Sequence, residues 1–187
     1  MESKVLIHII KEIETTENTI QVEEFITDLF VYTKQKDNDV FYRKDEDKMY
    51  AVNKIAKNIT PISLDQRQQQ ADQFKKLFSQ IDVEHKAEEN SRSISIDGKG
   101  NIVTISGEVK ISKFPDLEHT ANLGAYKLLS KSSLVDIDME NNEITNYADI
   151  NINVQGKRIK NKTVIKNIEV LTTDINRYDY LLNYSVN

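Results

Sequence analysis

The sequence predicts an α+β fold in which a helical N-terminal region is followed by a mainly antiparallel sheet with one packed helix. Apolar residues recur by threes and fours up to about residue 81, the period falls to two beyond residue 93, and a charged stretch without apolar period lies between. The chain divides accordingly into a helical region of about four helices over 1–82, a charged connector over 83–92, and a small α+β domain over 93–187.

Val5, Leu6, Ile9, Ile10 and Ile13 share one helical face, with Ser3 placed as a cap, so the spacing predicts a helix over about 3–14. Val22, Phe25, Ile26, Leu29 and Phe30 draw a broader face and predict a second helix over about 20–34. A polar turn follows. Phe41, Met49, Val52, Ile55, Ala56 and Ile59 then predict a third helix over 40–59, heavily charged in its first half. Thr60-Pro61 ends it, because the residue before a proline is pushed out of helical backbone. Ser63-Leu64-Asp65-Gln66 matches a capping box and opens a fourth helix. Along it Leu64, Ala71, Phe74, Phe78 and Ile81 form a stripe as narrow as a helix-pairing seam.

Past the connector, Ile94 and Ile96 alternate with serines, Asp97 to Asn101 supplies turn residues, and Ile102 to Ser106 returns as a strand. Val109 and Ile111 carry that strand beyond a bend at Gly107. Pro115 opens a helix with Leu117, Ala121, Ala125, Leu128 and Leu129 on its apolar face. Residues 135–139 and 148–154 alternate around a turn at Glu140 to Glu143 and predict a second hairpin. A basic turn at 155–162 leads to a strand over 164–171, while 174–184 fits a short helix or an alternating strand. Antiparallel pairing is expected, since no regular βαβ repeat demands parallel strands.

Composition bounds the chemistry. The 187 residues contain no Cys, which removes disulfides, thiolate nucleophiles and Cys-ligated metals. No apolar run reaches the roughly 20 residues of a membrane-spanning helix, and no leader pattern opens the chain, so a cytoplasmic location without membrane contact is expected. The net charge of -5 offers no global pull toward nucleic acid or anionic membranes; either would need a local basic patch. Asp136, Asp138 and Glu140 begin like a calcium loop, but Asn141 and Tyr147 occupy the positions that need Gly and Glu. Gly98-Lys99-Gly100 precedes a strand rather than the helix a phosphate loop requires. His8, His85 and His119 stand apart, and no glycine elbow frames a serine. No cofactor, metal or catalytic activity is therefore expected.

What survives is a non-enzymatic interaction or regulatory module whose partner is another protein or a second copy of itself. Leu64, Ala71, Phe74, Phe78 and Ile81 are the candidate seam, although such a stripe more often packs on the chain's own helices. Tyr178, Tyr180 and Tyr184 add an aromatic cluster of the kind interfaces favour, which equally suits closing the domain's core. The alternative is a nucleic-acid-binding regulator. It would use Tyr42, Arg43 and Lys44 at the start of the 40–59 helix together with Lys157, Arg158, Lys160 and Lys162 in the basic turn.

Overall fold

Alternate side chains of the first segment enter two different cores. In strand β1 (Lys4–Thr15), Ile7 and Ile9 belong to one buried cluster and Leu6 to another on the opposite face. A strand covered on both sides shows apolar residues in doublets, and the doublets Leu6-Ile7 and Ile9-Ile10 imitate helical spacing. The computed structural model describes residues 4–36, 38–113, 123–130, 138–140, 143–173 and 185–186.

The helical N-terminal region is thus corrected to β-structure. The expected helix over 3–14 is β1, and that over 20–34 is the hairpin of β2 (Thr19–Ile26) and β3 (Phe30–Lys34). At the intervening turn, Thr27 Oγ1 accepts hydrogen bonds from the Leu29 and Phe30 amides at 3.2 and 3.1 Å. The expected helix over 40–59 is β4 (Asn38–Arg43), β5 (Lys48–Asn53) and the start of β6 (Asn58–Ser63). Its turns are built on Asp47 (φ 50) and on Asn53, whose side chain accepts from the Ile55 and Ala56 amides before Lys57 (φ 52).

The fourth helix starts where expected but ends at Lys75, so Phe78 and Ile81, read as part of its stripe, lie on the strand that follows. Ser63 caps α1 (Leu64–Lys75), its hydroxyl accepting from the Gln66 amide at 3.0 Å. There follow β7 (Phe78–Ala87), β8 (Ser91–Gly100), β9 (Val103–Lys113), α2 (Gly124–Ser130), β10 (Glu143–Val154), β11 (Lys157–Thr173) and the two-residue β12 (Ser185–Val186). Residues 83–92, read as a connector, run from β7 through a turn into β8. α1 and α2 are the helices among the described residues, so an α+β description gives way to a predominantly β one.

All strand pairs are antiparallel except the short β12–β6 contact, and the order is β12-β6-β5-β4-β3-β2-β1-β11-β10-β9-β8-β7. Two meanders therefore meet where β1 pairs with β11, which leaves β6 and β7 at opposite borders. Laid flat, those borders would stand roughly 48 Å apart. Yet α1 and two further residues link them, a span of about 25 Å at most. The sheet must curl, and the main core agrees: Tyr42 and Met49 near one border share it with Phe78, Ile94 and Ile96 near the other.

The register sorts the turns into two ends of this open barrel. At the lower end lie the β1–β2, β3–β4, β5–β6, β8–β9 and β10–β11 turns and the link from α1 to β7. At the upper end lie the β2–β3, β4–β5 and β7–β8 turns and the excursion between β9 and β10. α2 belongs to that excursion and enters the barrel, where Leu123, Ala125 and Tyr126 are buried against the main core.

Candidate functional site

The wall opens between β6 and β7, and α1 crosses the opening. Leu64 and Phe74 touch the main core from the helix, Phe74 meets Phe78 edge-on at 5.3 Å, and Ile81 packs behind Gly98. The seam read from the sequence is not one helical stripe: Leu64, Ala71 and Phe74 lie on α1 and Phe78 and Ile81 on β7. Leu64, Phe74, Phe78 and Ile81 pack on the chain's own core, with Phe78 buried and the others half-buried. No residue of α1 is fully buried. A cleft of about 650 Å³ lies beside the helix, lined by Met49, Thr60, Pro61, Ile62, Gln66 and Arg67 among others. Burial there lowers the Arg67 pKa below its ordinary value.

The two borders differ. β6 carries Pro61, which has no amide to donate, and is paired along its first residues by β12. β7 pairs with β8 on one side, and among the described residues no strand takes its other side. Its side chains alternate between the lumen (Ile81, Val83, His85) and the outside (Gln80, Asp82, Glu84), and from Asp82 onward every one is exposed. Val83 is 36% exposed although it sits opposite the buried Ile96, so the lumen is uncovered along this border. Read from the sequence, a helical region ends at Asp82 and 83–92 form a connector; the alternation Ile81-Asp82-Val83-Glu84 is the signal that marks a strand instead.

The nucleic-acid candidates do not converge. Tyr42 is buried in the barrel, its hydroxyl donating to Asp47 at 3.2 Å, and Arg43 is held by Asp45 through two hydrogen bonds. With exposed Lys44 they sit at the upper end, on strands rather than on a helix. Lys157, Arg158, Lys160 and Lys162 lie at the lower end, and the turn there is only Gln155-Gly156, with β11 already begun at Lys157. Arg158 donates to Asn151 at 3.0 Å, Lys160 pairs with Glu14 at 2.8 Å, and Lys162 stands over the Tyr147 ring at 5.8 Å. The hydrogen bond from Lys160 lowers the Glu14 pKa. Tyr178, Tyr180 and Tyr184 lie outside the described residues.

Three buried polar groups hold the framework. In the lumen Lys11 forms an ion pair with Glu24 and stands 5.7 Å from the Tyr126 ring. Burial alone would lower the Lys11 pKa, but its interactions with Tyr126 and Glu24 outweigh that and raise it. Asp39 accepts from Tyr32 and from the Gln35 amide and pairs with Lys54 at 3.2 Å. Glu143 takes two hydrogen bonds from Arg92, at 3.0 and 2.9 Å, and one from the Glu140 amide. These groups are satisfied by one another, and no cluster suited to a metal ion occurs among the described residues.

Alkaline stability follows from the same groups. Burial, with Asp47 adding, pushes Tyr42 up to about 12, and burial with Glu46 does the same for Tyr50. With Lys11 also raised, the native state keeps protons that the unfolded chain releases, so stability intact below about pH 10 falls as pH rises toward 12. Tyr42→Phe is expected to make that fall shallower by about 2 kcal/mol, read as the change in urea midpoint between pH 9 and 11.5. A slope equal to the parent's would contradict the burial of this phenol.

The fold and its open border define a β-barrel in which, among the described residues, the wall strand β7 has no partner on its outer side. No protein-family model matches the chain, and no curated protein matches it.

Proposed function

We propose that the protein is a non-enzymatic protein-binding module that accepts an extended segment of a partner as an added strand along β7. The observation that carries this reading is the ten-residue border strand that, among the described residues, has no strand on its outer side. Main-chain amides and carbonyls along such a border supply affinity to any extended chain, and alternate side chains supply selectivity. The occupant is defined by what β7 presents. Apolar residues at every second position fit beside Ile81 and Val83, and Lys or Arg between them fit beside Asp82 and Glu84.

A displayed library of ten-residue peptides, panned against the full chain, is the test. Enriched sequences are expected to alternate apolar and basic residues. Their affinity should drop about tenfold when Asp82 and Glu84 are both replaced by lysine, with the melting temperature unchanged. Replacing Thr60 on β6 by lysine should leave binding intact. Peptides without alternation, or binding indifferent to the β7 changes, would refute the reading.

A further inference from the structure

The exposed large apolar residues are not scattered. Ile20, Ile55, Leu77, Ile102 and Ile159 are 38–88% exposed, and each lies in or beside a turn at the lower end of the barrel. Among the described residues only Val83 and Val170 are large, apolar and exposed elsewhere. Single surface isoleucines need no explanation, but a set of them on successive turns of one end does. Ile55 is the extreme case, 88% exposed at the tip of the β5–β6 turn.

Cations are interleaved with them. Lys57, Lys76, Lys99, Lys157 and Arg158 are exposed in or beside the same turns, and Lys36 is exposed on the β3–β4 turn of the same end. Among the described residues the acids there are fewer: Glu14 is paired with Lys160, Asp39 is buried against Lys54, and Glu17, Asp72 and Asp97 are exposed. The opposite end carries exposed Asp45, Glu46, Asp47, Glu88, Glu89, Asp138 and Glu140 against exposed Lys44, Lys48, Lys86 and Lys113, so its described acids outnumber its lysines. A chain of net charge -5 is thus electrically two-ended, and its overall sign does not govern what the lower end meets.

We propose that the lower end docks on an anionic bilayer surface. Ile20, Ile55, Leu77, Ile102 and Ile159 enter the headgroup region, and the surrounding lysines lie over the lipid phosphates. Neither half suffices alone: a few apolar tips give marginal insertion, and a basic patch alone gives screened, reversible attraction. No helix among the described residues is long and apolar enough to cross a membrane. The β7 border runs along the wall, leaving a docked molecule able to bind a partner strand.

Flotation with phosphatidylcholine vesicles, with and without phosphatidylglycerol, tests this on the full chain. Binding is expected only with the anionic lipid, and it should weaken as salt rises. The pair Ile55→Asp and Ile102→Asp should reduce it about tenfold, and Lys157→Glu with Arg158→Glu at least as much. Val170→Asp, at the upper end, should not change it, and thermal melts show whether each variant is folded. No flotation overturns the proposal. So does equal retention by duplex DNA that ignores the isoleucine changes, since that outcome assigns the end to polyphosphate alone.

Discussion

Replacing Lys11 with methionine is expected to destabilise the protein by about 3–5 kcal/mol, because Glu24 is left charged and unpaired inside the barrel. Both side chains are about 10% exposed, so water cannot take over the role of the lost partner. That loss is a large share of the 5–15 kcal/mol typical of a folded domain. The double change Lys11→Met with Glu24→Leu should recover most of it, since two apolar groups leave no buried charge behind. Urea unfolding of the two single variants and the double separates the cases. Additive losses would mean that Lys11 and Glu24 do not depend on each other.

Gly107→Val is the second change with a large expected effect, about 3 kcal/mol or more. Gly107 pairs with Ile150, and a Cβ there would strike the Asp149 carbonyl oxygen and come within 2.7 Å of Ile150 Cδ1. The obstruction is partly backbone of the neighbouring strand, so repacking of side chains cannot relieve it. The measurable outcome is a loss of protection from amide exchange along the β9–β10 ladder, together with a lower melting temperature. Unchanged exchange would show that these two strands are not in this register.

The strands β8 and β9 were legible because one face of each is wet, whereas the expected hairpin of 135–139 with 148–154 is not formed, since Asp138 to Glu140 are outside any strand and β10 pairs with β9 and β11. Ile94 and Ile96 alternate with serines, and Val103, Ile105, Val109 and Ile111 are buried while Thr104, Ser106 and Lys110 are exposed, so the period of two survives in the sequence. The N-terminal half is covered on both faces near its middle. Phe41 and Tyr42 are adjacent and both buried, in different cores, and so are Tyr32 and Val31. Side-by-side apolar residues erase the alternation, and short turns then place the next apolar pair where a helix would also place it. The Ser63 cap was legible because it is local chemistry.

The site was legible only in part. Leu64, Phe74, Phe78 and Ile81 stood out as a stripe, but whether such a stripe turns inward is decided by β6 and β7, which lie far apart in the sheet and are brought near by its curl. Ile55 reads as part of a helix's apolar face and Ile102 as the start of a strand, because nothing in a sequence marks an isoleucine that sits at a turn tip. Their common end of the barrel follows from strand register, which depends on pairings as remote as Thr15 with Asn161.

Residue-resolved amide exchange along β7 tests the open border most directly. Among the described residues the outer side of this strand has no ladder, so amides of residues 81–87 should split by alternation. Those directed to β8 should be protected, and those directed outward should exchange within the dead time, in contrast to the fully protected centre of β1 between β2 and β11. Uniform protection along β7, equal to that of β1, would contradict the account, because it would mean that the wall is already closed and has no place for a partner strand.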